Sequence, residues 1–267
     1  MSLTFRFDHA VCVARDPFQS LKDAEAVGLS AAAGGRHEKW GTYNSLLHFG
    51  LSYIEFLGLE DRNRAAAVAD NSLIRQLVRE QPSGEGLNRL ALRTNQMEDA
   101  ARHFQRQGLR VTGPIPGRRA TPDGQILEWS MLFIEETGED PFFLPFIIDW
   151  KQTDEEREHR LRQLGLLKNK GRLSEIATVT RDAEKAAATW KRLFSATIEK
   201  PAVDERLNAR MIPVSLAGVR FAFYEPTGVG PVSDLLSARG QRPFRIVIED
   251  SGLKTARRLA GAEMWFR

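Results

Sequence analysis

One order of segments recurs along this chain, and it limits the possible folds more than any other feature. Residues 5–13 (FRFDHAVCV) read as a strand. Arg15-Asp16-Pro17 breaks it, with Asp16 placed to cap a helix and Pro17 at its first position. Phe18, Leu21, Ala24 and Val27 then recur at helical spacing, and Gly28 ends the helix. Strand-like runs follow over 43–49 and 52–59, and a further strand is expected within GGRHEKWGT. The unit is βαβββ. It begins again at Leu87 (strand to Thr94, helix over 97–107, strands over 126–135 and 142–149). Asp8 precedes Gly28 by the same interval as Asn88 precedes Gly108. A third copy starts at Leu173, with a helix over 183–194 and a strand pair over 210–216 and 218–224. A fourth is only begun, with a strand over 243–249 and a helix expected over 253–260. Each unit of such a repeat needs a neighbour to bury its apolar face.

The expected fold is therefore α+β. Tandem βαβββ modules form curled mixed sheets around a cleft, with helices outside and a second, partly degenerate copy toward the C-terminus. The divisions fall at 1–150 (two paired modules), 151–172 (a charged linker helix) and 173–267 (the third module and the truncated fourth). On the linker, Leu161, Leu164 and Leu167 form an apolar stripe, which reads as a helix packing one face rather than as a binding element. The C-terminal part reads as either structural or dimer-forming, so a homodimer is compatible with the sequence. PIPGRRATPDG (114–124) reads as a loop over one end of the cleft, closed by an Asp123-Gly124 turn.

Charge and composition exclude several classes. The net charge is +3 with basic and acidic residues interspersed, so no basic patch points to nucleic acid. No apolar run is long enough for a membrane span, and the N-terminus has no signal-peptide pattern. The lone Cys12 suits a reducing compartment, and a cytoplasmic location is expected. No GxGxxG, phosphate-loop or GxSxG pattern occurs, so neither a nucleotide cofactor nor a serine nucleophile is indicated.

Residues able to carry chemistry cluster in the first module. His9 and Glu55 stand on its first and last strands, and an imidazole with a carboxylate can hold a metal or move a proton. The bland alternative is a core histidine bonded to a carboxylate. Asn44 and His48 alternate on one strand face, so both line the cleft if that face points inward. His37 and Trp40 sit in the glycine-rich GGRHEKWGTYN, which reads as a rim touching the ligand or as an ordinary crossover. Trp40, Tyr53, Trp129, Phe133, Phe146 and Trp150 would give the cleft apolar walls.

Asp8-His9, Gly34-Gly35-Arg36-His37 ahead of Gly41-Thr42-Tyr43-Asn44, and Tyr53-Ile54-Glu55 carry a family likeness. So do Phe142-Phe143 and Pro145-Phe146 ahead of Asp149-Trp150. With these residues on repeated βαβββ modules, the chain resembles the vicinal oxygen chelate superfamily. Its first 150 residues resemble the glyoxalase-like domain family. The resemblance implies a cleft between paired modules and a divalent metal (Zn, Mn, Fe or Ni) held by His9, Glu55 and two ligands from the second module. It names no single reaction, since the superfamily spans isomerases, lyases, dioxygenases, thiol transferases and metal-free binding proteins. This sequence departs from the pattern at Arg89, which aligns with His9 and cannot ligate a cation. Arg89 would instead pair with Glu55 or Asp8, or anchor an anionic ligand. Two readings follow. One is lyase, isomerase or dioxygenase chemistry on a small oxygen-bearing or carboxylate molecule, with Glu55 and His9 catalytic and Arg89, Asn44, His48, His37 and Trp40 binding. The other is a metal-free protein that binds or sequesters such a molecule, with Arg89 as its anchor.

Overall fold

The computed structural model describes residues 3–120, 124, 126–135 and 142–267. The first module comprises β1 (Arg6–Val13), α1 (Pro17–Ala26), β2 (Ala32–His37), β3 (Thr42–Phe49) and β4 (Ser52–Leu59). Two helices follow it, α2 (Arg62–Ala66) and α3 (Ser72–Glu80). The second module has β5 (Gly86–Arg93), α4 (Met97–Arg106), β6 (Val111–Ala120), β7 (Ile126–Ile134) and β8 (Phe146–Asp149). The linker helix is α5 (Asp154–Gln163). Beyond it come β9 (Arg172–Val179), α6 (Ala183–Phe194), β10 (Thr197–Ile198), β11 (Ala202–Asp204), β12 (Ala209–Leu216), β13 (Val219–Pro226) and α7 (Pro231–Arg239). The chain ends with β14 (Arg242–Glu249), β15 (Thr255–Leu259) and β16 (Ala262–Phe266).

These strands form two mixed sheets. The first runs β2-β3-β4-β1-β5-β8-β7-β6, and the second runs β10-β12-β13-β9-β14-β16-β15 with β11 on β12. In both, the first strands of paired modules meet antiparallel at the centre. Within each module the first and last strands are parallel. The edges of the first sheet, β2 and β6, touch, so that sheet curls nearly closed around its concave face. The convex faces turn toward each other. There Phe5, Phe7, Phe104, Trp190, Phe194 and Phe221 share one buried core with α1, α4 and α6.

Local signals explain most of these elements. Asp16 accepts from the amides of Phe18 and Gln19, and Pro17 opens α1. Thr153 and Glu156 make a capping box on α5. Three expectations are corrected. The span 111–120, expected to be partly loop, is the edge strand β6, where Pro114 and Pro116 are tolerated because an edge leaves donors unpaired. The helix expected over 253–260 is strand β15, paired with β16, so the fourth module has no helix. The second module's last strand begins at Phe146, after Pro145, and not at Phe142. Asp123 of the expected turn lies outside the described residues.

Candidate functional site

A β-bulge sets the centre of the site. In the β1–β5 ladder Phe7 faces Leu92 and His9 faces Ala91, leaving Asp8 as the extra residue. Successive strand residues normally point to opposite faces. The bulge instead lets the Asp8 carboxylate reach the ring beside it, and His9 Nδ1 donates to Asp8 Oδ1 at 2.7 Å. Asp8 is fully buried and also accepts from Trp150 Nε1 at 3.0 Å and Arg157 Nη1 at 3.0 Å. Burial pushes its carboxyl up, but Arg157, His9 and Arg93 outweigh that and hold it well below the usual carboxylate range. With Asp8 ionised, Nδ1 of His9 is a donor and Nε2 is the nitrogen left for chemistry.

Nε2 points to Glu55 Oε2 at 3.6 Å, too long for a good hydrogen bond. The other carboxylate oxygen, Oε1, accepts from Asn44 Nδ2. Imidazole and carboxylate are therefore held apart, each by its own second partner, and both face the same gap. The His9 ring stacks on Tyr53 at 4.5 Å. Gly34 makes room for Asn44, since a Cβ there would come within 2.0 Å of Asn44 Oδ1.

Around this centre lies a cavity of about 210 Å³. Trp40, Trp129, Trp150, Tyr53 and Phe146 form much of its wall, while Phe133 lies outside it. GGRHEKWGTYN supplies a buried wall. His37 is 7 % exposed with Nδ1 on Thr42 Oγ1 at 3.0 Å, and Trp40 is 4 % exposed with no partner for its Nε1 among the described residues. His48 also faces the cavity, and neither of its ring nitrogens has a hydrogen-bond partner among the described residues. Burial pushes His37 and His48 down to about 4, with Arg119 contributing at His37 and Arg157 at His48. Both are neutral near pH 7.

Arg89 is placed differently from the expectation. It occupies the position related to His9 by the sheet's local two-fold, since His9 faces Ala91 and Arg89 faces Val11. It does not line the cavity. It donates to Leu144 O at 3.2 Å and to Ser72 Oγ at 3.0 Å, with its guanidinium over Phe143. Neither Glu55 nor Asp8 is among these contacts.

The sequence reading passed over the cations that do line the cavity, Arg119 on β6 and Arg157 and Arg160 on α5. The linker helix, expected to be a packing element, roofs the cleft with Arg157, Arg160 and Leu161, followed by Leu164 and Leu166. The usable signal was arginines at helical spacing beside the leucine stripe. Asn169 fixes the far end of the linker by accepting from Ser30 N (2.7 Å) and donating to His48 O (2.9 Å).

A resident metal does not fit this donor set. Catalytic zinc usually takes three protein ligands. His9 and Glu55 supply two, and their two-fold counterparts are Arg89 and Phe146. No group of three His, Cys, Asp or Glu able to hold an ion occurs among the described residues. No helix among them is long and apolar enough to cross a membrane.

A family model described as a glyoxalase-like domain matches residues 7–194. No curated protein matches the chain. Among solved structures, a hypothetical protein from Staphylococcus aureus is similar over 98 % of this chain and 99 % of its own, with a TM-score of 0.82 at 19 % identity. A variant of 4-hydroxymandelate synthase from Streptomyces coelicolor is similar over 93 % of this chain and 71 % of its own, with a TM-score of 0.61 at 14 % identity. At these identities the likeness is one of fold.

Proposed function

This chain belongs to the glyoxalase-like domain family of the vicinal oxygen chelate superfamily, and from that premise we propose that its N-terminal cleft is the active site of an enzyme that moves a proton on a small oxygen-bearing molecule. Glu55 is the general base, and His9, whose Nδ1–H is given to Asp8, accepts from a substrate hydroxyl at Nε2. The observation that carries this reading is the separation of the two groups. Glu55 is held by Asn44 and His9 by Asp8, and the 3.6 Å between them keeps neither from a substrate. A carboxylate that is 7 % exposed, beside an imidazole of fixed orientation, suits abstraction of a proton next to a carbonyl. General base catalysis of this kind contributes about 10²–10⁴-fold. The 4-hydroxymandelate synthase likeness extends to fold and supplies no substrate.

The test is carbon-bound hydrogen exchange in D2O, followed by proton NMR, with a panel of 2-oxo acids and neutral 2-hydroxy ketones. At least one member should exchange faster with the protein. That acceleration should fall at least about a hundredfold in Glu55→Gln while the fold is kept. Exchange that is unchanged by the protein across the panel, or retained in Glu55→Gln, overturns the reading.

A second reading is a protein that binds such a molecule without converting it. Its specific support is the half-complete donor set, with Arg89 and Phe146 opposite His9 and Glu55. The cations facing the ligand in that reading are Arg119 and Arg160 rather than Arg89. Saturable binding with no exchange would favour it.

A further inference from the structure

Building on the cleft as a ligand site, we propose that its ligand is a monocarboxylate with an apolar body, and that Arg119 and Arg160 hold the carboxylate from opposite walls. Arg118 is exposed on the outer face of the edge strand β6, and alternation turns Arg119 inward. Arg119 makes no hydrogen bond or ion pair among the described residues. Its charged surroundings are Glu55, which attracts it, and Arg160, which repels it. Arg160 comes from the roof. Its Nη2 is buried without an acceptor among the described residues. Arg157, one turn earlier, is already committed to Asp8.

Two guanidinium groups facing one cavity repel each other, and a buried donor such as Arg160 Nη2 with no acceptor among the described residues is costly. A carboxylate reaching both would satisfy their donors with charge-assisted bonds and screen their repulsion. The charge balance selects a single negative charge. Glu55 offsets one of the two cations, which leaves one positive charge for the ligand. The remaining wall selects the body. Trp40, Trp129 and Trp150 with Leu46 and Leu57 enclose space suited to a phenyl ring or a branched chain. Gln152 Oε1 and Asn71 Nδ2, buried without partners among the described residues, lie in the same lining, and the Asn71 amide can donate to a second ligand oxygen.

The experiment is calorimetric titration of the full chain with phenylacetate, phenylpyruvate and 4-methyl-2-oxopentanoate, each against its primary amide. At least one acid should bind about tenfold or more tightly than its amide. Arg119→Gln and Arg160→Gln should each weaken that acid about tenfold and barely change the amide. Arg118→Gln, on the outer face, should change neither, and thermal midpoints check that all three variants fold. No acid binding more tightly than its amide overturns the proposal, as does wild-type acid affinity in both inward-arginine variants. The outcome is separable from the proton-transfer reading. Charge-dependent binding without exchange sustains the arginine grip and sinks the base. Exchange confined to neutral ketones does the reverse.

Discussion

In the first sheet, α3 covers a concave face that presents His9, Tyr53 and Glu55. In the second, α7 covers the same face with Glu175, Arg220 and Ala222 at the matching register positions. The two faces have different interiors. Ala177 and Ala222 let Val232 and Leu236 of α7 pack down against Tyr224 and fill the space. In the first sheet, tryptophans on β7 and beside β3 and β8 stand around an open cavity. The arginine paired across each sheet is stacked in both cases, Arg89 on Phe143 and Arg245 on Trp265 at 4.0 Å. The position of Glu55 is Ala222 in the third module and Trp265 in the fourth. The backbone plan permits a site, and side-chain volume decides whether the space stays open.

Glu55→Gln should cost about 10²–10⁴ in exchange rate, while Glu175→Gln costs nothing measurable in the same NMR assay. Loss of activity in the second variant would make the two sheets functionally equivalent. Asp8→Asn leaves Arg157 without its carboxylate and should cost about 3–5 kcal/mol in urea unfolding near pH 7. Its depressed pKa means that this contribution is present above the usual carboxylate range and is lost as pH falls below it. Ser174→Ala, at the matching bulge, should cost about 1 kcal/mol. Leu236→Ala should cost about 2–3 kcal/mol, because it opens a void in the filled face. Leu161→Ala, at the cavity roof, should cost about 1 kcal/mol or less.

Acid sharpens the same contrast. All five histidines lie within the first 160 residues. Folded His37 and His48 sit at about 4 against 6.5 for an exposed histidine. The unfolded chain therefore binds protons that the folded one excludes. The destabilisation from these two rings is absent above about pH 6.5 and grows as pH drops toward 4, by up to about 1.4 kcal/mol per unit for each ring. Amide exchange at pH 5 should open the first sheet before the second, and a His37→Gln/His48→Gln double variant should flatten the slope. Metal analysis after dialysis against zinc or manganese should return well under one ion per chain. A full equivalent would mean a further ligand near His9 and Glu55.

The repeat made most of the architecture legible. Asp16-Pro17, the helical stripe after it and the glycine at its end recur with enough regularity to mark the modules. Element type was lost where local chemistry opposed tertiary context. Pro114 and Pro116 read as a loop although an edge strand tolerates them, and Leu253 to Ala260 read as helix although β16 offered a pairing partner. Asn44 and His48 were legible because strand alternation puts them on one face, and His9 and Glu55 because they stand on the first and last strands of the module and carry the family likeness. Arg119 and Arg160 were not, because they reach the cavity from β6 and α5, whose approach to His9 is set by curling of the sheet and by the ion pair of Arg157 with Asp8. Arg89 aligned correctly and still missed the cavity, since alignment gives the strand position and not what packs over it.

The bulge at Asp8 has three counterparts. Asn88, Ser174 and Phe244 are the extra residues at the matching steps of β5, β9 and β14, and each directly precedes the residue matched to His9. Four copies thus share one backbone defect and fill it with different vocabularies: a carboxylate beside an imidazole, an amide or an aromatic ring beside a guanidinium, a hydroxyl beside a carboxylate. The defect behaves as a socket, and what is plugged into it can change without rebuilding the strand. Four such sockets stand in this chain, and the first alone sets an imidazole and a carboxylate beside the open cavity described above.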